Sequence, residues 1–215
     1  MKSASLLGIS KDTSAILFDM FQDLYGISKL DFYINQEKYV EPFTPTFQFP
    51  YEAHPINSYS QISGQVFFGA SGASNKKAIF NYFLTKFQID RDRYHQLVHP
   101  TSYVAPSSVL AKGVLIEPNT VIGSQTSIGF GVFVKRGASI GHHNTIGDFT
   151  DINPGAVLSG KVNIGSGSTI GSGTVVKDNI SIGENTIIGI GSVVTKDIPS
   201  NCIAFGNPCK IIREI

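Results

Sequence analysis

The chain has 215 residues, 41% hydrophobic and 15% charged, enough to bury a real core in one domain or two small ones. Seventeen basic against sixteen acidic side chains leave a net charge of +1 with no basic run, which argues against nucleic acid or an anionic membrane as the main partner. The apolar patch in "MKSASLLGISKDTS" is too short for a signal sequence and no apolar run reaches a membrane-spanning length, so a cytoplasmic protein without membrane insertion is expected, acting on a small molecule.

In chain order, "SASLLGIS" predicts a strand and "DTSAILFDMFQDLYG" a helix opening on Asp12 or Thr13 and closing at Gly26. "LDFYIN" predicts a second strand, and "EPFTPTFQFPYEAHP" reads as a Pro- and aromatic-rich connection. The strand-like "QVFFGASG" and the helix "NKKAIFNYFLTKFQI" follow. Alternating strands and helices imply a small Rossmann-like parallel sheet over residues 1–98, with its loops at the carboxyl edge where a nucleotide usually binds. Those loops nominate Gly8, Ile9, Ser10, Asn35, Gln36, Ser71 and Gly72 for a nucleotide sugar. "GISKDTS" is not a GxGxxG fingerprint, so this rests on topology, and a domain that only packs and orients the second half is the other reading.

The chain changes character near His99: 18 of its 23 aromatic residues precede it and 17 of its 22 glycines follow, so two architectures share the chain. From Val104 to Val194, every sixth residue is aliphatic through sixteen consecutive positions, very often followed by glycine. A helix would repeat at 3.6 residues; six with β-branched residues predicts a hexapeptide β-solenoid over residues 99–215. Three hexads close one triangular coil, and coils stacked at roughly 4.8 Å give a prism about 25 Å long. The period leaves the hand open, and general crossover rules favour a right-handed coil. Cys202 and Cys209 lack CxxC spacing and read as reduced thiols.

A small α/β domain followed by unbroken hexads, with "GHHNTIGDFTDINPGAVLSGKVNIG" and the tail "IAFGNPCKIIREI", resembles the hexapeptide-repeat acyltransferases that acetylate nucleotide-linked amino sugars. Bacillosamine and perosamine N-acetyltransferases belong to that family, and sialic acid O-acetyltransferases are relatives. The resemblance covers the domains in order and is strongest from His99 to Ile212. It implies a left-handed parallel β-helix, a homotrimer with acetyl-CoA in the grooves between prisms, a nucleotide sugar held by the first domain, no metal, and a role in surface polysaccharide biosynthesis.

In the six-residue register His142 and His143 follow the inward Ile140 around a corner, so both should face outward, and solvated turn residues are the plain alternative. One coil beyond His142 lies Gly160, leaving space that an acetyl group could occupy. Transfer from a thioester to an amine needs a base near neutral pKa, and imidazole fits; a backbone N–H would stabilise the oxyanion. The resemblance puts the base at His142, whose next residue is usually an acid that orients the ring. Here it is His143, which as a cation could not do so, while Asp151 stands where a histidine near acetyl-CoA is usual. His143 and Asp151 are the candidate orienters; Asp151 or Asp148 could supply the missing carboxylate across a trimer interface, or the base could work without a charged partner. The register makes Gly160 a candidate acetyl-CoA contact, and the resemblance adds Asp151 and the main chain of Ser172 and Ile190. Lys196, Lys210 and Arg213 could meet cofactor phosphates or simply form a solvated basic end.

Three other readings compete. A γ-type carbonic anhydrase shares the prism but holds zinc with an H-x4-H pair, whereas Gly147 and Asp148 stand five residues after His142 and His143. A non-catalytic sugar-binding scaffold is the second. O-acetylation of a sugar hydroxyl by the same base is the third.

Overall fold

The computed structural model describes residues 3–37 and 50–215. They form two compact units, Met1–Ser71 with Asn75–His95, and Gly72–Ser74 with Gln96–Ile215.

The first unit contains β1 (Ser3–Leu7), α1 (Lys11–Tyr25), β2 (Lys29–Tyr33), β3 (Tyr51–His54), β4 (Val66–Phe68) and, from Asn75 on, α2 (Ala73–Phe87). Its strands are parallel in the order β3-β2-β1-β4, so the direction of winding reverses between β1 and β4. Leu6, Leu7, Leu30 and Phe32 of the central strands and Val66 and Phe68 of β4 are buried with Leu17, Phe21, Ile79 and Phe83 of the helices, as a parallel sheet packed against helices requires.

Two details differ from the sequence expectation. The segment read as a connection contains β3, paired with β2 from Leu30↔Tyr51 to Tyr33↔His54; its residues 41–49 lie outside the described residues. Ser10, with φ −148°, and not Asp12 or Thr13, occupies the N-cap position of helix α1, without a side-chain cap bond. The Thr13 hydroxyl turns instead to Ser71 Oγ, 3.0 Å away. The other end matches its expectation: Gly26 at φ +58° closes the helix, its N–H bonding the Gln22 carbonyl and the Ile27 N–H the Phe21 carbonyl.

The second unit is a parallel β-helix of two-residue strands spaced six apart from Leu97–Val98 to Val193–Val194. The strands stack into three faces. Face I begins at Leu97–Val98 and includes Asp151–Ile152; face II begins at Tyr103–Val104 and includes Ser139–Ile140; face III begins at Val109–Leu110 and includes Thr145–Ile146. Stacked partners are 18 residues apart, as in Ser139↔Val157 and Ile140↔Leu158. Of the sixteen inward positions fourteen are buried, while Val104 and Leu110 in the first turn are only partly so. Each buried aliphatic side chain contributes about 1.5–3 kcal/mol, which is why the repeat admits no polar residue there.

Each corner has four residues with distinct demands. The first stacks on the next coil: a β-carbon on Gly141 would lie 2.7 Å from the Ser159 carbonyl oxygen. The third has positive φ at every corner from Gly113 to Gly191, including the non-glycine residues Asn119, Gln125, His143, Phe149, Lys161, Asn179 and Asn185. At the far end Cys202–Phe205 extends face I beside Ile187–Ile188, and Lys210–Glu214 returns antiparallel along it. Both cysteines are free thiols, and burial pushes that of Cys209 up.

Candidate active site

His142 and His143 occupy the corner between faces II and III, and both are exposed. The corner is tightly held. The His143 N–H donates to the Ser124 carbonyl and the Lys161 N–H to the His142 carbonyl, each at 2.8 Å. Asn144 is buried behind the pair: its Nδ2 donates to the carbonyls of Gly141 at 2.9 Å and Ser159 at 3.0 Å, and its Oδ1 accepts the Val162 N–H at 2.6 Å. Sequence reasoning missed Asn144. Its signal was a carboxamide at the fourth corner position, where Thr126, Val162 and Ile180 stand in the same column.

The two imidazoles meet through Nδ1 atoms 2.9 Å apart, with ring planes at 88°. One hydrogen lies between them, so one ring donates and the other accepts. The space over Gly160 is taken by the His142 ring itself: a β-carbon at Gly160 would fall 2.6 Å from its Cε1 and Nε2.

Neither candidate carboxylate shares that corner. Asp151 is buried on face I, and Asp148 stands at the corner between faces III and I, its Oδ1 accepting the Phe130 N–H at 2.8 Å. Ser172 and Ile190 stack at the corner between faces I and II, linked through the Gly191 N–H to the Ser172 carbonyl at 2.9 Å. Ile190 is 79% exposed. Within one chain the histidine corner and the Ser172–Ile190 corner therefore lie on opposite edges of face II, which is at most about 20 Å wide by the rise of six extended residues, with Ser172 and Ile190 two and three coils further along the prism. Between them lie the outward side chains Tyr103, Val121, Val157 and Val175, an exposed apolar stripe interrupted by Ser139, which stacks between Val121 and Val157. Face III carries a groove of about 640 Å³ lined by Asn163, Ser166, Ser181, Glu184 and Ser200 among others; no nominated residue lines it. Lys196, Lys210 and Arg213 are exposed.

In the first unit, the nominated loops gather at the carboxyl edge of the sheet. Gly8, at φ +75°, follows β1; its N–H bonds the Tyr33 carbonyl at 2.9 Å, and a β-carbon there would lie 3.7 Å from Asn35 Oδ1. A β-carbon at Gly69 would collide with the Gly8 carbonyl, so the loops after β1 and β4 touch through backbone. Ile9 and Ser10 lead into α1, Ser71 bonds Thr13, Gly72 follows at φ +94°, and Gln36 is exposed beyond β2. The Ser10 side chain makes no cap bond, leaving backbone donors at the start of α1. On β2 and β3, Asp31, Glu52 and His54 could together hold a metal ion, but Lys29 Nζ already sits 2.9 Å from Asp31 and 2.6 Å from Glu52.

No protein-family model matches the chain, and no curated protein matches it. Solved structures match along nearly its whole length. The acetyltransferase domain of PglB from Neisseria gonorrhoeae, in complex with acetyl coenzyme A, is 23% identical with a TM-score of 0.80, covering 98% of this chain and 99% of that one. A histidine-to-alanine mutant of GDP-perosamine N-acetyl transferase from Caulobacter crescentus, in complex with CoA and GDP-perosamine, is 19% identical with a TM-score of 0.77, covering 100% and 98%. WeeI from Acinetobacter baumannii is 20% identical with a TM-score of 0.77, covering 99% and 100%. At these identities what is shared is the fold: an α/β unit followed by a parallel β-helix.

Proposed function

We propose that the protein is an acetyltransferase that moves the acetyl group of acetyl-CoA to the amine of a nucleotide-linked 4-amino-4,6-dideoxy sugar, with His142 as general base. The observation that carries this reading is the His142 ring, lodged on Gly160 with Nδ1 engaged and Nε2 without a hydrogen-bond partner among the described residues. Nε2 takes a proton as the amine nitrogen attacks the thioester carbonyl, a backbone N–H holds the oxyanion, and the CoA thiolate leaves and is protonated by the imidazolium. No acyl-enzyme is formed. Three structures of the same fold, two of them of proteins named as acetyltransferases and solved with acetyl coenzyme A or CoA, support the reaction class.

The reading includes a homotrimer of left-handed coils in the cytoplasm. The apolar stripe on face II supports the trimer, because packing on it would set the Ser172–Ile190 corner of one copy near the His142 corner of the next. Ser172 and Ile190 then carry acetyl-CoA through main chain, with Asp151 and Gly160 near the acetyl end. The loops of Gly8, Ile9, Ser10, Asn35, Gln36, Ser71 and Gly72 hold the nucleotide sugar, whose phosphates suit the uncapped start of α1. No helix among the described residues is long and apolar enough to cross a membrane.

Release of free CoA, measured with UDP-, GDP- and dTDP-linked 4-amino-4,6-dideoxy sugars, tests the reading. One of them should turn over, and His142→Ala should lower kcat by about 10²–10⁴. Turnover of a hydroxyl acceptor alone identifies an O-acetyltransferase. Ligand binding that His142→Ala preserves, with no thioester consumed, identifies a scaffold.

A further inference from the structure

We propose that His143 is the positioning residue for His142 and acts as a neutral hydrogen-bond acceptor: its Nδ1 lone pair takes the Nδ1–H of His142. This rests on His142 being the base. A neutral imidazole carries one N–H, and a base acting through Nε2 must carry it on Nδ1. That hydrogen points at His143 Nδ1, 2.9 Å away, so this nitrogen is bare and His143 holds its own hydrogen on Nε2.

The local structure explains how adjacent residues reach each other. His143 has φ +57°, and this left-handed turn sets its ring edge-on to that of His142, at 88° with centroids 5.1 Å apart. Its N–H is anchored on the Ser124 carbonyl, so the ring springs from a fixed backbone. The charged residues of this corner column are Lys161 one coil on, Lys177 and Asp178 the coil after, and Lys196 and Asp197 beyond them; Ser124, Gln125 and Asn144 are uncharged. Lys161 follows His143 in the positive-φ column. A neutral acceptor thus does the work of a carboxylate. When Nε2 takes the amine proton, the new imidazolium keeps its Nδ1–H on the His143 lone pair.

The test is the tautomer of His142, read by two-bond 1H–15N correlation on the full 15N-labelled protein, beside kinetics. Wild type should show His142 protonated at Nδ1 with Nε2 bare. His143→Gly, which suits the positive φ, should return His142 to the Nε2–H form and lower kcat about 10–100-fold at unchanged sugar KM. His143→Glu and His143→Gln retain an acceptor and should restore both. Nε2–H on His142 in the wild type, or a tautomer indifferent to His143→Gly, overturns the proposal. The stated tautomers in a protein that acetylates no acceptor support the ring arrangement while removing the assignment of His142 as a base.

Discussion

The imidazole of His142 rests on Gly160, the residue 18 positions later, with no room between them for a β-carbon. Gly160 does not need glycine's backbone freedom, since its φ is not among the positive ones. Gly160→Ala should therefore fold with a melting temperature within a few degrees of wild type, yet push the ring aside. A displacement of about 1 Å costs on the order of 10² in rate, so kcat should fall about a hundredfold. Unchanged kcat would show that the ring does not work from this seat.

Asn144 makes the corner rigid from inside. Asn144→Ala leaves the buried Val162 N–H and the Ser159 carbonyl without the carboxamide, while the Gly141 carbonyl still has the Thr126 hydroxyl at 2.9 Å. Two such groups left unmet cost about 2–6 kcal/mol, measurable by urea denaturation. Asn144→Thr should lose less, because a threonine already serves this column at Thr126. Equal losses in the two variants would refute the hydrogen-bond account.

The solenoid was legible because each inward position admits only an aliphatic side chain, so the period appears directly in residues such as Ile140, Leu158 and Val176. Corner conformation was less so: glycine announces positive φ at Gly137, but His143, Phe149 and Lys161 adopt it because the stacked coils impose it. Strand β3 was hidden because Pro50 and the surrounding aromatics break the alternation that marks a strand, and only pairing with β2 defines it. The register placed both histidines at a corner. It could not show that their Nδ1 atoms meet, which depends on side-chain torsions with no trace in the repeat.

Face II should be the contact between copies. Val157 and Val175 are 38% and 41% exposed, so glutamate at either position costs a lone chain little. In an assembly each would bury a charge without a partner. Val157→Glu with Val175→Glu should elute at the mass of one chain rather than three in light-scattering chromatography, keep its circular dichroism, and lose CoA release. An active monomer would show that one chain completes the site.

Acid should weaken the first unit through Asp31. Burial pushes this carboxyl up, but hydrogen bonds from Ser3 and Lys29 together with the Lys29 charge outweigh it and hold the group below the ordinary carboxylate range. A carboxylate that titrates lower when folded stabilises the fold above its unfolded value, near 3.9, and that contribution is lost as pH falls through the folded value. Lys29→Met removes the ammonium 2.9 Å from Asp31 and should raise this carboxyl. The melting temperature of Lys29→Met should therefore lie below wild type at pH 7, and the difference should shrink toward pH 2. A constant difference over that range would assign the loss to packing of the lysine stem.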